Sequence, residues 1–399
     1  MRRRFRVLLL HYTAPSVLGG VERIMGVHAA ALRDSGDDVA IVAGRGTARG
    51  LRVIRIEELD SRHPAVLRDF ASLAAGQVTP AHERLVATIA RRLRPHVLRA
   101  DRVVVHNAFT LHKNAALTEA LSRLAAERDG RFIAWTHDLA WTDPQYRSQL
   151  YDGRPWSLFA TPLPGVRYVA VSEKAARELC LVAHLPRSAV AVVPNGADPV
   201  TVLGISAAGA RLATTVGLFD ADPLLLLPVR MTRRKRIEIA IDALARLRDN
   251  APRAMLVVTG GPGAHNPANL EYARELAARA GDGVVLLHAR RVRPTDRVLS
   301  DLYALADALV LPSANEGFGL PVLEAGLHRL PVICTDIPAL RAIAGDDATY
   351  VATDAGGSTL AEAIARRLAN DPVARLHRRA RASAWPRILA DCVLPVIHA

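Results

Sequence analysis

The stretch Ala308-Leu309-Val310-Leu311-Pro312-Ser313-Ala314-Asn315-Glu316-Gly317-Phe318-Gly319-Leu320-Pro321-Val322-Leu323-Glu324-Ala325 joins an apolar run, a polar loop and the start of a helix. The run from Ala308 to Leu311 shows no polar alternation, so it reads as a strand covered on both faces, the habit of parallel sheets. Pro321 suits the first helical position, where its missing N–H costs nothing. On that geometry Glu316 lies in the loop and Glu324 about one turn into the helix, with both carboxylates directed into one cleft. Between them the N–H groups of Gly319 and Leu320 lie at the positive end of the helix dipole and can receive a phosphate. One segment can thus hold a sugar, a diphosphate and a ribose.

Similar runs recur on both sides, alternating with amphipathic helical stretches. In the first half they are Val7 to Leu10, Val39 to Val42, Val103 to Val105, Phe132 to Trp135, Tyr168 to Val171 and Val190 to Val193. The series restarts with Leu224 to Leu227, Ala254 to Val258, Val284 to Leu287, Ala308 to Leu311, Val332 to Cys334 and Thr349 to Val351. The pattern predicts an α/β chain of two consecutive Rossmann-like, doubly wound parallel sheets. The expected domains are 1–196 and 197–379, with a hinge near Pro194 to Asp198 and a C-terminal helix at 380–399 packing back on the first domain. At 399 residues, half of them apolar, the chain can fill two cores.

In such sheets ligands gather beyond the carboxyl ends of the strands. The first strand runs into His11-Tyr12 and then Leu18-Gly19-Gly20-Val21-Glu22, ahead of a helix. Adjacent glycines allow close backbone approach to a ligand, and they also suit a plain strand-to-helix turn. The strand Leu224 to Leu227 leads into Arg230-Met231-Thr232-Arg233-Arg234-Lys235-Arg236. Arg230 and Lys235 are positioned to face the cleft and make charge-assisted contacts to phosphate, while Arg233, Arg234 and Arg236 are expected in solvent.

The formal net charge of +13 favours anionic ligands or surfaces. The arginines are scattered through helical patterns and no basic stretch is interleaved with aromatics, which argues against nucleic acid. Cys180, Cys334 and Cys392 are widely spaced, so no disulfide or zinc framework is expected. The apolar run after Met1-Arg2-Arg3-Arg4 is too short for a signal or a spanning helix, giving a cytoplasmic expectation that leaves peripheral contact with anionic lipid open. Asp220-Ala221-Asp222 precedes a strand where a metal-binding triplet would end one, so no metal is expected.

These pieces together resemble the retaining GT-B glycosyltransferases of family 4. Glu316 to Glu324 looks like that family's E-x7-E signature, and Arg230 with Lys235 its Arg-x4-Lys pair. In order, Gly19-Gly20, Trp135-Thr136-His137-Asp138, Ala170-Val171-Ser172-Glu173, Val193-Pro194-Asn195-Gly196-Ala197-Asp198, Thr259-Gly260-Gly261-Pro262 and Ala306-Asp307-Ala308-Leu309-Val310-Leu311-Pro312-Ser313 match as well. The resemblance implies two Rossmann-like domains facing across a cleft, and transfer of a hexose from a nucleotide-diphosphate sugar of UDP-glucose or GDP-mannose type. The acceptor would be a carbohydrate, lipid or small-molecule hydroxyl, attacked from the front face with retention and without a metal.

By the same resemblance Arg230 and Lys235 clamp the diphosphate with Gly19, Gly20, Gly319 and Leu320. Glu316 binds the transferred sugar, Glu324 the ribose, and Phe318 lies against the donor. His137 reaches the donor sugar, although alone it would also suit a hydrogen-bonded loop. His106, at a neighbouring strand end, is a candidate to face the acceptor. The aromatic segment from Trp141 to Tyr146 and from Tyr151 to Trp156 either lines the acceptor side or forms loop core. One departure is the missing glycine before Pro331-Val332, expected to alter that helix end. Two other readings share the architecture: a nucleotide-sugar 2-epimerase, and a non-catalytic binding protein.

Overall fold

A computed structural model describes residues 3–127, 130–263 and 266–399; Met1 and Arg2 of the basic amino-terminal run lie outside these. The chain divides into two compact units, Met1–Gly196 with Trp385–Ala399, and Ala197–Ala384. The chain re-enters the first unit at Trp385, a little later than the expected 380.

The first unit holds seven strands: β1 (Arg6–Leu10), β2 (Asp38–Ala43), β3 (Arg52–Arg55), β4 (Arg102–His106), β5 (Phe132–Thr136), β6 (Val166–Ala170) and β7 (Val190–Val192). They pair in the order β3-β2-β1-β4-β5-β6-β7, all parallel. The second unit repeats the plan with β8 (Leu224–Leu227), β9 (Met255–Val258), β10 (Val284–Leu286), β11 (Ala308–Leu311), β12 (Val332–Thr335) and β13 (Thr349–Val351). Their order is β10-β9-β8-β11-β12-β13, again parallel. Two doubly wound sheets were expected, and two are found. The strand missed by the periodicity is β3, whose ends are Arg52 and Arg55 and whose middle is half-buried; an edge strand needs no continuous apolar run.

Strand direction reverses its walk across the sheet between β1 and β4, and again between β8 and β11. Ligand crevices form outside the carboxyl ends at such points. In the first unit that end is built by residues following Leu10, His106 and Thr136, and in the second by residues following Leu227 and Leu311. Each sheet is sealed on both faces, which explains the all-buried strands such as Leu224–Leu227 and Phe132–Thr136.

The C-terminal segment is tied into the first unit by polar contacts. Arg102 Nε donates to the Ile397 carbonyl at 3.1 Å, Arg167 Nη1 to the Val396 carbonyl at 3.1 Å, and His398 Nε2 meets Asp37 Oδ2 at 2.7 Å. Trp385, Ile388, Val393 and Ile397 pack with Leu9, Met25 and Ile133 in one core. Among the described residues no helix is long and apolar enough to cross a membrane.

Candidate active site

In the second unit the loop after β11 folds back on the loop after β8. Lys235 Nζ lies 2.5 Å from Glu316 Oε1, and Ser313 Oγ donates to the same oxygen at 2.7 Å. Arg234 is exposed, as expected, and also donates from Nη1 to the Asn315 carbonyl at 2.8 Å, while its own carbonyl accepts the Ala314 N–H at 2.8 Å. Arg236 is also engaged, on the carbonyls of Thr353 and Ala355. Of the three, Arg233 keeps most to the surface, paired with Glu275. Arg236 is the one that departs from the expectation, being half-buried: a guanidinium at a strand-to-helix turn meets loop carbonyls that it can satisfy.

The helix that follows is Leu320–Leu327, entered through Gly319 at φ 104°, with no side chain capping its amino end. Leu320 is its first residue, so Pro321 stands one position later than expected. A side chain at position 319 would be strained by that φ, and its Cβ would lie 2.8 Å from Leu340 Cδ2. Phe318 and Leu320 are exposed beside it. At the other end, Arg329 adopts φ 55°, the left-handed conformation that glycine favours, so the helix end survives the glycine's absence.

Glu324 is held elsewhere on this helix: Tyr303 Oη donates to its Oε2 at 2.5 Å, and the Tyr303 ring stacks on His328 with centroids 5.4 Å apart. Burial and the carboxylate beside it push the Tyr303 hydroxyl up from its ordinary pKa. Arg230 is exposed and lines a cavity of 510 Å3 with Thr259, Gly260, Gly261, His288 and Arg293. Between Arg230 and Lys235, the Thr232 hydroxyl is buried with no hydrogen-bond partner. The structure thus joins Lys235, Glu316 and Ser313 directly, and gives Arg230 and Glu324 separate surroundings. Asp222 lies between Arg253 Nη2 at 3.3 Å and Arg378 Nε at 2.7 Å, which accounts for the Asp-x-Asp triplet as a structural loop.

In the first unit, Gly19 precedes the helix Gly20–Asp34. Glu22 folds back over that entrance, accepting from Thr13 Oγ1 at 2.5 Å and facing His11 Nε2 at 3.7 Å. A Cβ on Gly19 would lie 2.0 Å from Glu22 Oε2, so a side chain there would push the carboxylate off this entrance. Sequence reading gave Glu22 no role, although an acid two residues after paired glycines is a usable signal.

His137 stands beyond β5, partly exposed. Asn107, at φ 59°, accepts the N–H groups of His137 and Asp138 on Oδ1 at 2.8 and 3.1 Å and donates to Asp138 Oδ2 at 2.9 Å. Its left-handed backbone, tolerated by Asn, aims that amide at the turn. His106 is fully buried, so it does not face outward toward any acceptor. It lies under His137, Nδ1 to Nε2 3.1 Å, and its carbonyl accepts from His11 Nδ1 at 2.9 Å. His28 completes the cluster, its ring 5.6 Å from His106 and 4.8 Å from Trp135. Burial drives His137 down to about 4 and His28 to about 3, and lowers His106 well below its ordinary value. The imidazoles are neutral near pH 7.

Trp156 and Phe159 are buried in a small core with Leu73, Leu111 and Leu150, against which Trp141 and Tyr146 pack. Of the two readings open for this aromatic segment, loop core is the one the contacts support.

Residues 222–370 match the family described as glycosyl transferases group 1, and residues 18–200 match glycosyltransferase family 4. A D-inositol 3-phosphate glycosyltransferase of Kineococcus radiotolerans is 31% identical over 240 residues, 55% of this chain and 54% of that protein. Another, of Stackebrandtia nassauensis, is 30% identical over 207 residues, 47% of this chain and 45% of that protein. The chain spans about half the length of the curated relatives it matches. A sucrose-phosphate synthase structure from Thermosynechococcus elongatus aligns over 99% of both chains with 17% identity and a TM-score of 0.41. The two successive family matches, one over each sheet, are what fix the relationship: the chain belongs to the group 1, family 4 glycosyltransferases.

Proposed function

We propose that this protein transfers a hexosyl group from a nucleotide-diphosphate sugar to an acceptor hydroxyl, with retention and without a metal. The observation that carries the reading is the Lys235–Glu316–Ser313 cluster at the uncapped amino end of Leu320–Leu327, in a chain of this family. Departure of a nucleotide diphosphate builds negative charge on the leaving oxygen and positive charge on the sugar ring. Lys235, Arg230 and the N–H groups of Gly319 and Leu320 are fixed donors for the first. The Glu316 carboxylate, held within 2.7 Å of the Ser313 hydroxyl, is suited to sugar hydroxyls beside the second. Losing one such donor typically costs on the order of 10²-fold to 10³-fold in rate.

The cavity at Arg230, Gly260, Gly261 and His288 suits the nucleoside portion, with Glu324 on the ribose. Gly19 and Gly20 would approach the phosphates, Phe318 would lie against the donor, and His137 would contact the transferred sugar. Metal independence is supported by the arginine pair on Asp222, which already occupies the second acid of the Asp-x-Asp triplet. The relatives' names put a phosphorylated polyol among the acceptors worth testing.

The test combines activity and binding. With UDP-glucose and GDP-mannose as donors and a panel of acceptors in chelator, the product should keep the donor's anomeric configuration. Glu316→Ala should abolish transfer while UDP or GDP still raises the melting temperature. Equal loss of transfer and nucleotide binding would remove the role given to Glu316. Donor interconversion without any acceptor would favour the epimerase.

A further inference from the structure

Two imidazoles meet at the carboxyl ends of β4 and β5. His106 Nδ1 and His137 Nε2 are 3.1 Å apart, so one nitrogen donates and the other accepts. Each neutral imidazole carries one proton, and whichever nitrogen holds it determines what the other nitrogen can do. The two arrangements differ in what they leave behind. If His137 donates, the His106 proton must sit on Nε2, which is buried without a hydrogen-bond partner. If His106 donates, that same Nε2 carries only a lone pair. An orphaned buried N–H is the rarer and more costly outcome. The surroundings point the same way. Trp135 Nε1, a donor only, is also buried and unpartnered, with its ring 5.9 Å from that of His106. A second N–H here would leave two unpaired donors beside one another, with His28 Nδ1 the remaining unpartnered nitrogen of the cluster.

We infer that His106 is a positioning residue that donates through Nδ1 to His137 Nε2 and thereby locks His137 in the Nδ1–H tautomer, so that its outward nitrogen is a hydrogen-bond donor. Two features hold this arrangement in place. His11 Nδ1 donates to the His106 carbonyl at 2.9 Å, which fixes the end of β4. Asn107 pins the backbone N–H of His137 at 2.8 Å. The chemical consequence is selectivity for an oxygen lone pair. Resting on the glycosyl-transfer reading, this makes His137 a donor to a hydroxyl or ether oxygen of the bound sugar, never a base toward it.

The experiment is a long-range ¹H–¹⁵N correlation spectrum of the whole protein with labelled histidine at pH 7, His137 being assigned by its loss in His137→Asn. The inference expects a protonated Nδ1 and a bare Nε2 at His137, and the same at His106. A protonated Nε2 on His137 overturns it, whatever the enzymatic activity. In His106→Phe the preference should fall by about fivefold or more, the worth of one ordinary hydrogen bond. Unchanged His11 and His28 signals would report an intact fold in that variant. A wild-type His137 preference that survives in folded His106→Phe also overturns the inference. Since the readout is the tautomer, absence of sugar transfer would count against the functional proposal alone.

Discussion

The Lys235 ammonium rests 2.5 Å from the Glu316 carboxylate, with the two side chains only 11% and 8% exposed. Two opposite charges so shielded from water depend on each other, because either one left alone keeps its desolvation cost and loses its partner. Lys235→Met and Glu316→Gln should therefore each destabilise the second unit by roughly 2 to 3 kcal/mol. The double variant should lose clearly less than the sum. Urea titrations of the four proteins measure this coupling, and strict additivity would show the pair to be energetically idle.

A second buried cluster predicts a pH signature. His82 Nδ1 is 2.9 Å from Asp69 Oδ2 and its Nε2 3.3 Å from Glu119 Oε2, joining the helices Pro64–Ala74, Pro80–Arg99 and Ala115–Ala126. Burial opposes the charge on His82, but the two carboxylates outweigh it and raise its pKa from 6.5 to about 9. That stabilisation is complete below 6.5 and disappears as pH rises through about 9. Glu119, hydrogen-bonded by His82, is lowered from 4.5 to about 2, so its share is complete above 4.5 and disappears as pH falls through about 2. The clamp is strongest between those limits, on the order of 2 kcal/mol. His82→Gln should flatten the stability profile above pH 6.5, and an unchanged slope there would refute the clamp.

Asn107 does two jobs, adopting φ 59° and bonding both sides of the turn at His137 and Asp138. Substituting Gly keeps the backbone and removes the bonds, whereas Ala loses both. Asn107→Gly should cost about 1 to 2 kcal/mol, and Asn107→Ala about 1 kcal/mol more. Equal losses would mean that the backbone conformation is not strained.

Arg329 occupies φ 55° at the end of Leu320–Leu327. Arg329→Gly relieves that conformation, partly offset by the greater freedom of glycine in the unfolded chain. The expected gain is about 0.5 to 1 kcal/mol, a rise of roughly 1 to 4 °C in melting temperature. Destabilisation would show that the Arg329 side chain itself holds the turn.

Both sheets were readable because their strands are apolar on both faces, a pattern with few structural solutions. The loop cations and acids were readable as residue types, since glycines, a proline and two glutamates meet at one strand-to-helix junction. Their partners were less so. Tyr303 lies 21 residues from Glu324, and nothing local marks it as the donor to that carboxylate. His106 shows why burial is hard to read: a polar residue at a strand end looks outward-facing until a neighbouring strand carries His137 over it. Arg236 looked like a solvated charge because a sequence displays charged side chains but not the carbonyls waiting for them. β3 was missed for the opposite reason, being too polar at both ends to resemble its neighbours.

The placement of Trp385–Ala399 in the first unit bears on how the molecule is made. Its core includes Val393 and Ile397, so this unit cannot be completed until Ala197–Ala384 has been synthesised, and it waits unsealed in the meantime. During that interval the core that Val393 and Ile397 complete is open to chaperones and to aggregation.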